Sequence, residues 1–264
     1  MAKSNMSLAY EQVYRDRLAE TKNMITLATL LDALDQGVAG GLTYQDVMSK
    51  AYEEAHNANP KGVPTSLPDV TLVSSVIRSN VKIMIYNIIE FSVTSLFQAI
   101  YDRLEDENCS YVDVSEELRA LWHHTRMRKL SDPSASNETA ERTSKGLLDE
   151  VIANTTVHIT ARQTMSGGNL DGKEILKLFD NHGISVHTTG SGYREDELKD
   201  IKDRRNALAH GSISFADAGN QVTTSELAEL ITRVDSFLMQ LRSDVMSYLD
   251  SGEYKAGGSV AGEA

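Results

Sequence analysis

The chain has 264 residues, 41% of them hydrophobic and 24% charged, and its 38 Asp+Glu against 26 Lys+Arg give a formal net charge of −12. That composition belongs to an ordinary globular chain, large enough to bury one core of useful size, and it argues against nonspecific coating of nucleic acid, which depends on Lys and Arg neutralising phosphates. The single cysteine, Cys109, excludes an intrachain disulfide and a cysteine-based zinc site, and fits a small buried residue in a reducing, cytoplasmic setting.

The first twenty residues, MAKSNMSLAYEQVYRDRLAE, are charged throughout and read as no signal peptide. From about 7 to 36, Leu18, Ile25, Leu27, Leu30, Leu31 and Leu34 recur at helical spacing, and Gly37 is placed to end the run. A second helix follows Thr43, and NPKGVPTSLP after it reads as a loop, so residues 1–69 are expected to form a helical hairpin extension attached to a bundle over 70–250.

The strongest predicted helix covers 80 to 105, with Met84, Ile88, Phe91, Leu96, Ile100 and Leu104 on one broad face and Ile83, Ile85 and Ile89 widening it. Its Lys82, Asn87, Glu90 and Gln98 suit a buried bundle helix better than lipid, and no membrane partner is expected. The next helix is expected near Asp113, where Asp113 and Glu116 fit a capping pattern, and it carries Leu118, Leu121 and Trp122 before a cationic end, RALWHHTRMRKL. SDPSASNETAERTS, 131 to 144, is polar and small and predicts a mobile loop, whereas LLDEVIANTTVHITARQ predicts a helix that frays near Thr155.

Three further helices are expected: Asp171 to about Asn181 closed by Gly183, Glu195 to His210 closed by Gly211, and Ser225 to about Leu249. The last has a capping box, Thr223 with Glu226, and a stripe of Leu227, Leu230, Ile231, Val234, Leu238, Leu241 and Val245 that needs partner helices. Residues 251–264, rich in Gly, Ala and Ser, predict a disordered tail. All four prolines fall at 60, 64, 68 and 133 and no hairpin signals are present, so the fold class is all-α.

IKDRRNALAHG, residues 201 to 211, carries the most chemistry. Arg205 and His210 are separated by four residues, Asn206 follows the arginine, and Leu198, Ile201, Arg205 and Leu208 recur at steps of three, four and three. An arginine therefore sits on the stripe that faces the bundle, which costs free energy unless an anion meets it. The residues alone leave two readings open: a site for an anionic ligand, or an arginine paired with a neighbour such as Asp200 and a terminal histidine interacting with the last carbonyls.

RRNALAHG resembles the R-x₄₋₆-H motif of the HEPN superfamily, helical domains of toxin, antiphage defence and RNA-processing proteins. NVKIMIYNIIEFSVTSLFQAIYDRL, SGGNLDGKEILKLFDNHGIS and LKDIKDRRNALAHGSISF follow in the order seen in bacterial defence HEPN proteins, so the resemblance covers about 70 to 250. It implies a HEPN-like helical bundle that forms a homodimer, bringing two copies of the motif to one cleft, and an endoribonuclease, a hydrolase acting in toxin-antitoxin or antiphage defence systems without metal or other cofactor. Arg205 would then hold the scissile phosphate of an RNA substrate, His210 would serve as general acid/base toward the 2′-hydroxyl or the leaving 5′-oxygen, and Asn206 would orient the imidazole or a phosphate oxygen. Arg204 has a comparable claim to the phosphate. Ser212 occupies the place where some relatives carry a tyrosine modified by a nucleotidyltransferase antitoxin, so that partner is not supported, although Tyr193 lies nearby in sequence.

The cationic residues Arg119, Arg126, Arg128 and Lys129 either guide an RNA backbone or are a solvated helix end. Asn87, Glu90 and Thr94 share a helical face and either support His210 in a cleft or form a polar seam. GxxxxGK[ST], H-E-x-x-H and G-x-S-x-G are absent. The alternative function is a noncatalytic HEPN module that binds nucleotide, RNA or a protein partner in a defence complex.

Overall fold

A computed structural model describes residues 5–37, 40–59, 68–127, 136–165 and 169–257. The described elements are helices: α1 (Asn5–Asp35), α2 (Tyr44–Ala58), α3 (Val70–Asp106), α4 (Glu116–Met127), α5 (Asn137–Ile152), α6 (Ala161–Thr164), α7 (Gly172–Asp180), α8 (Glu195–Ala209), α9 (Phe215–Gly219) and α10 (Thr224–Ser251). The described residues contain no sheet, only two isolated antiparallel bridges, Ser110 with Thr156 and Val114 with Lys255. The all-α expectation holds.

Two compact units divide the chain. One contains Ser7–Ile88 and Lys199–Arg233; the other contains Ile89–Leu198 and the residues from Val234 on. Residues 7–69 of the hairpin segment fall in the unit that also holds the segment bearing the motif.

In the first unit α1 begins near the expected position and Gly37 follows it with φ +66°. Its buried stripe is Tyr14, Thr21, Ile25 and Ala28, whereas Leu27 and Leu30 are exposed, so the expected apolar face is rotated. Thr43 caps α2 in a full capping box with Asp46. α3 starts ten residues earlier than the pattern predicted, because Ser74, Ser75 and Ser79 are buried where an apolar stripe was sought. Those serines serve packing. Gly219 lies so close to Ser75 that a Cβ there would fall 1.7 Å from the Ser75 carbonyl oxygen, and Arg78 donates Nε to the Gly219 carbonyl at 3.1 Å and Nη1 to Asp32 at 2.7 Å. Ser75 also donates to Asn220 Oδ1. One arginine therefore ties α1, α3 and α9 together. The short α9, capped by Ser214, was not foreseen.

The second unit is built around the rest of α3. Phe97 stacks on His182 at 4.3 Å and meets Phe179 edge-on at 5.0 Å, and Tyr101 Oη bonds His182 Nε2 at 2.6 Å. His182 Nδ1 donates to the Leu178 carbonyl at 2.6 Å, which fixes the neutral ring with its proton on Nδ1. Burial pushes the His182 pKa down to about 4 and pushes the Tyr101 hydroxyl well above its ordinary range.

Several expectations need correction here. α4 starts at Glu116 with the Ser115 hydroxyl accepting from Leu118 N at 3.4 Å, because the Asp113 carboxylate is taken by Ser110 N and Oγ. Of the expected loop 131 to 144, residues 137 onward are the first turns of α5, with Ser136 as its cap, and 131–135 lie outside the described residues. The helix does end near Thr155, at Ile152, and residues 157–160 run on without helix. The expected disordered tail is placed through residue 257: Tyr254 is buried and donates to Glu107 at 2.8 Å, Lys255 pairs with Glu107 at 2.7 Å, and Ser115 N bonds the Tyr254 carbonyl at 2.8 Å. Only 258–264 lie outside the described residues.

Among the described residues one helix, α3 with 37 residues, is long and apolar enough to cross a membrane, and half of its apolar stretch is buried inside the protein. Lys82, itself buried, pairs with Asp200 at 2.6 Å, a placement that suits a core helix.

Candidate functional site

α8 ends in a motif set by its backbone. Ser212 N bonds the Ala207 carbonyl at 2.9 Å and Gly211 N bonds Leu208 at 3.2 Å, while Gly211 has φ +69°. These are the two bonds of a Schellman ending, with glycine at the left-handed position that side chains avoid. His210 is the residue just before that glycine; its N–H bonds the Asn206 carbonyl at 3.0 Å and its side chain is exposed. Ser212 adds a hydroxyl bond to the Ala207 carbonyl at 3.0 Å, so its side chain works here as a helix terminator.

The apolar stripe is buried as expected at Leu198, Ile201 and Leu208, and Arg205 is half-buried on it. Its guanidinium carbon lies 4.9 Å from the centre of the Tyr86 ring, and Nη1 donates to Asn206 Oδ1 at 3.0 Å. Tyr86 is fully buried on α3, so this is a cation held against a desolvated π face. Sequence reasoning missed Tyr86. Asp200, the suggested partner, instead binds Lys82 at 2.6 Å and lies 3.8 Å from Arg204. Arg204 also donates Nη1 to Gln221 Oε1 at 2.5 Å. The two neighbouring arginines are thus differently employed: Arg204 braces polar side chains, and Arg205 lies on a ring.

The first unit holds Arg204, Arg205, Asn206 and His210 on α8 and at its end, with Asn87 on α3. Asn87 is exposed, and its carbonyl accepts from Arg17 at 3.5 Å, so it is no part of a buried polar seam. Glu90, half-buried, belongs to the second unit, as do Arg119 and Arg126. Arg119 donates to the carbonyls of Val114 at 3.0 Å and Val112 at 3.3 Å and covers the Tyr111 ring; Arg126 pairs with Glu150 at 3.0 Å and covers Trp122. Both serve the packing of α4, which weighs toward the structural reading of that cationic end. Arg128 and Lys129 lie outside the described residues. The Tyr193 hydroxyl is buried without a hydrogen-bond partner. Among the described residues no group of three or more His, Cys, Asp or Glu is placed to hold a metal ion.

Chemically, the end of α8 offers a permanently charged, orientable fork of donors and, five residues on, an exposed imidazole on a rigid backbone. Comparison with known proteins matches residues 11–254 to the family described as MAE_28990-like HEPN. No curated protein and no solved structure matches the chain.

Proposed function

Since the chain belongs to the HEPN family over residues 11–254, we propose that it is a metal-independent endoribonuclease whose working residues are those at the end of α8. The observation that carries the reading is the pairing of Arg205, held on the Tyr86 ring, with an exposed His210 at the same helix end. Arg205 holds the scissile phosphate and stabilises the charge that builds on it. His210 takes the 2′-hydroxyl proton or supplies one to the leaving 5′-oxygen, giving a 2′,3′-cyclic phosphate. Asn206, bonded to Arg205 Nη1, keeps the guanidinium in place. Arg204, which engages Gln221 and lies 3.8 Å from Asp200, is the alternative phosphate ligand.

In this reading two copies form a cytoplasmic homodimer that places both motifs at one RNA-binding cleft, and the protein acts as a toxin or antiphage effector restrained or triggered by a partner. The acidic net charge of −12 favours a second reading, a noncatalytic module that binds nucleotide, RNA or a partner protein.

The deciding experiment incubates the purified full chain with total RNA in EDTA and assigns the product ends. Nuclease action predicts cyclic phosphate termini, and Arg205→Ala and His210→Ala each losing about 10²-fold or more in rate while keeping the wild-type melting profile. Intact RNA with wild type, or equal cleavage by all three proteins, would reject it.

A further inference from the structure

A second imidazole, in the other unit, is held in a way that the ribonuclease reading does not use. His187 lies in the segment between α7 and α8. Its ring is 75% exposed, yet it is fixed at two points to one carboxylate: its backbone N–H donates to Asp244 Oδ2 at 3.0 Å, and its Nδ1 lies 2.8 Å from Asp244 Oδ1. Asp244 on α10 is buried, with a side chain 5% exposed, and Gln240 one turn earlier donates to the same Oδ1 at 2.9 Å. The backbone bond alone would pin the segment. The ring bond does something further: it places the proton on Nδ1 and leaves the lone pair on Nε2, which no described residue engages.

Three kinds of chemistry use such a nitrogen. A general base needs a hydroxyl or thiol bonded to Nε2, and the neighbouring Ser191 hydroxyl is committed to the Thr188 carbonyl at 2.7 Å. A metal site needs companion ligands, and none is grouped there among the described residues. A nucleophile needs only access, a fixed lone pair and a means of stabilising the positive charge the ring acquires when Nε2 forms a bond. The structure supplies all of these, the last through the buried Asp244 carboxylate.

We propose that His187 is a phosphoryl-acceptor site, modified on Nε2 by donors of the phosphoramidate (P–N) class. The Nε2 lone pair attacks phosphorus, the P–N bond of the donor breaks and its nitrogen leaves as ammonia. The resulting imidazolium keeps its Nδ1 proton bonded to Asp244, so no group has to rearrange. Asp244 is the positioning residue.

His158 is an internal control: its Nδ1 also meets a carboxylate, Glu105 at 3.0 Å, but that glutamate is 49% exposed. The test treats the full-length protein with phosphoramidate and follows acid-labile phosphohistidine at each of the seven histidines by peptide mapping and ³¹P NMR. His187 should react about tenfold faster than His158, equivalent to about 1.4 kcal/mol of barrier, with phosphorus on Nε2. Asp244→Asn should bring His187 down to the His158 rate and leave His158 unchanged. Equal rates at His187, His158 and His210 in the wild type, which need no variant to fold, would overturn the proposal, as would an Asp244→Asn protein that reacts at the full rate. Neither result bears on RNA cleavage, so this proposal and the nuclease reading fail separately.

Discussion

At Arg205 the neighbour that the sequence did not announce is a ring, Tyr86 on α3. A guanidinium laid on the buried Tyr86 face is held in one orientation, which the proposed role as a phosphate ligand requires. Tyr86→Leu should then lose about fivefold to tenfold in kcat for RNA cleavage, in keeping with a cation–π contribution of about 1 kcal/mol. Steady-state kinetics checks this, and a leucine variant with unchanged kcat counts against it. The role of Tyr86 was not legible in the sequence because it is created across 119 residues (205 minus 86), between two helices whose facing sides no local pattern specifies. The two readings of Arg119 and Arg126 stayed open for the same reason: their partners, the Val112 and Val114 carbonyls and Glu150, are choices made by tertiary packing, while the sequence showed only a run of positive charge. The R-x₄-H spacing was legible because helix geometry and the terminating glycine are local.

Among the elements, ends governed by a reciprocal box were readable and ends governed by competition were not. Thr223 and Glu226 exchange backbone bonds as the sequence indicated, and those bonds hold the Glu226 carboxyl below its ordinary pKa. Asp113 lost its expected capping role to Ser110, and the start of α5 was hidden because a solvated helix needs no apolar residues in its first turns. Two substitutions test how the elements are fastened. Gly219→Ala forces a methyl into the Ser75 carbonyl and should cost at least about 3 kcal/mol in urea unfolding, since backbone on both sides has to move. Tyr254→Ala empties the buried position that anchors residues 252–257 and should cost about 3 to 5 kcal/mol. A loss under 1 kcal/mol in either case would mean that the contact is not carrying its element.

For the whole molecule, the buried His182 makes stability depend on acid. Its folded pKa of about 4 lies below the ordinary value of 6.5, so between those limits the unfolded chain binds the proton and the folded one does not. Stability is therefore full above about pH 6.5 and falls as pH drops toward 4, by about 2 kcal/mol between pH 7.5 and 5 from this residue alone. Denaturant titrations at the two pH values should show that decrease in the wild type and lack it in His182→Gln, whatever that variant loses at neutral pH. The stretch from Arg205 to Gly219 meets a different constraint, since one end rests on Tyr86 and the other is wedged against Ser75, about three turns away along the same helix. It behaves as a strap buckled twice to a single post. A visitor approaching His210 finds main chain that does not yield, and whatever adjustment it demands has to come from the swivelling of the imidazole itself.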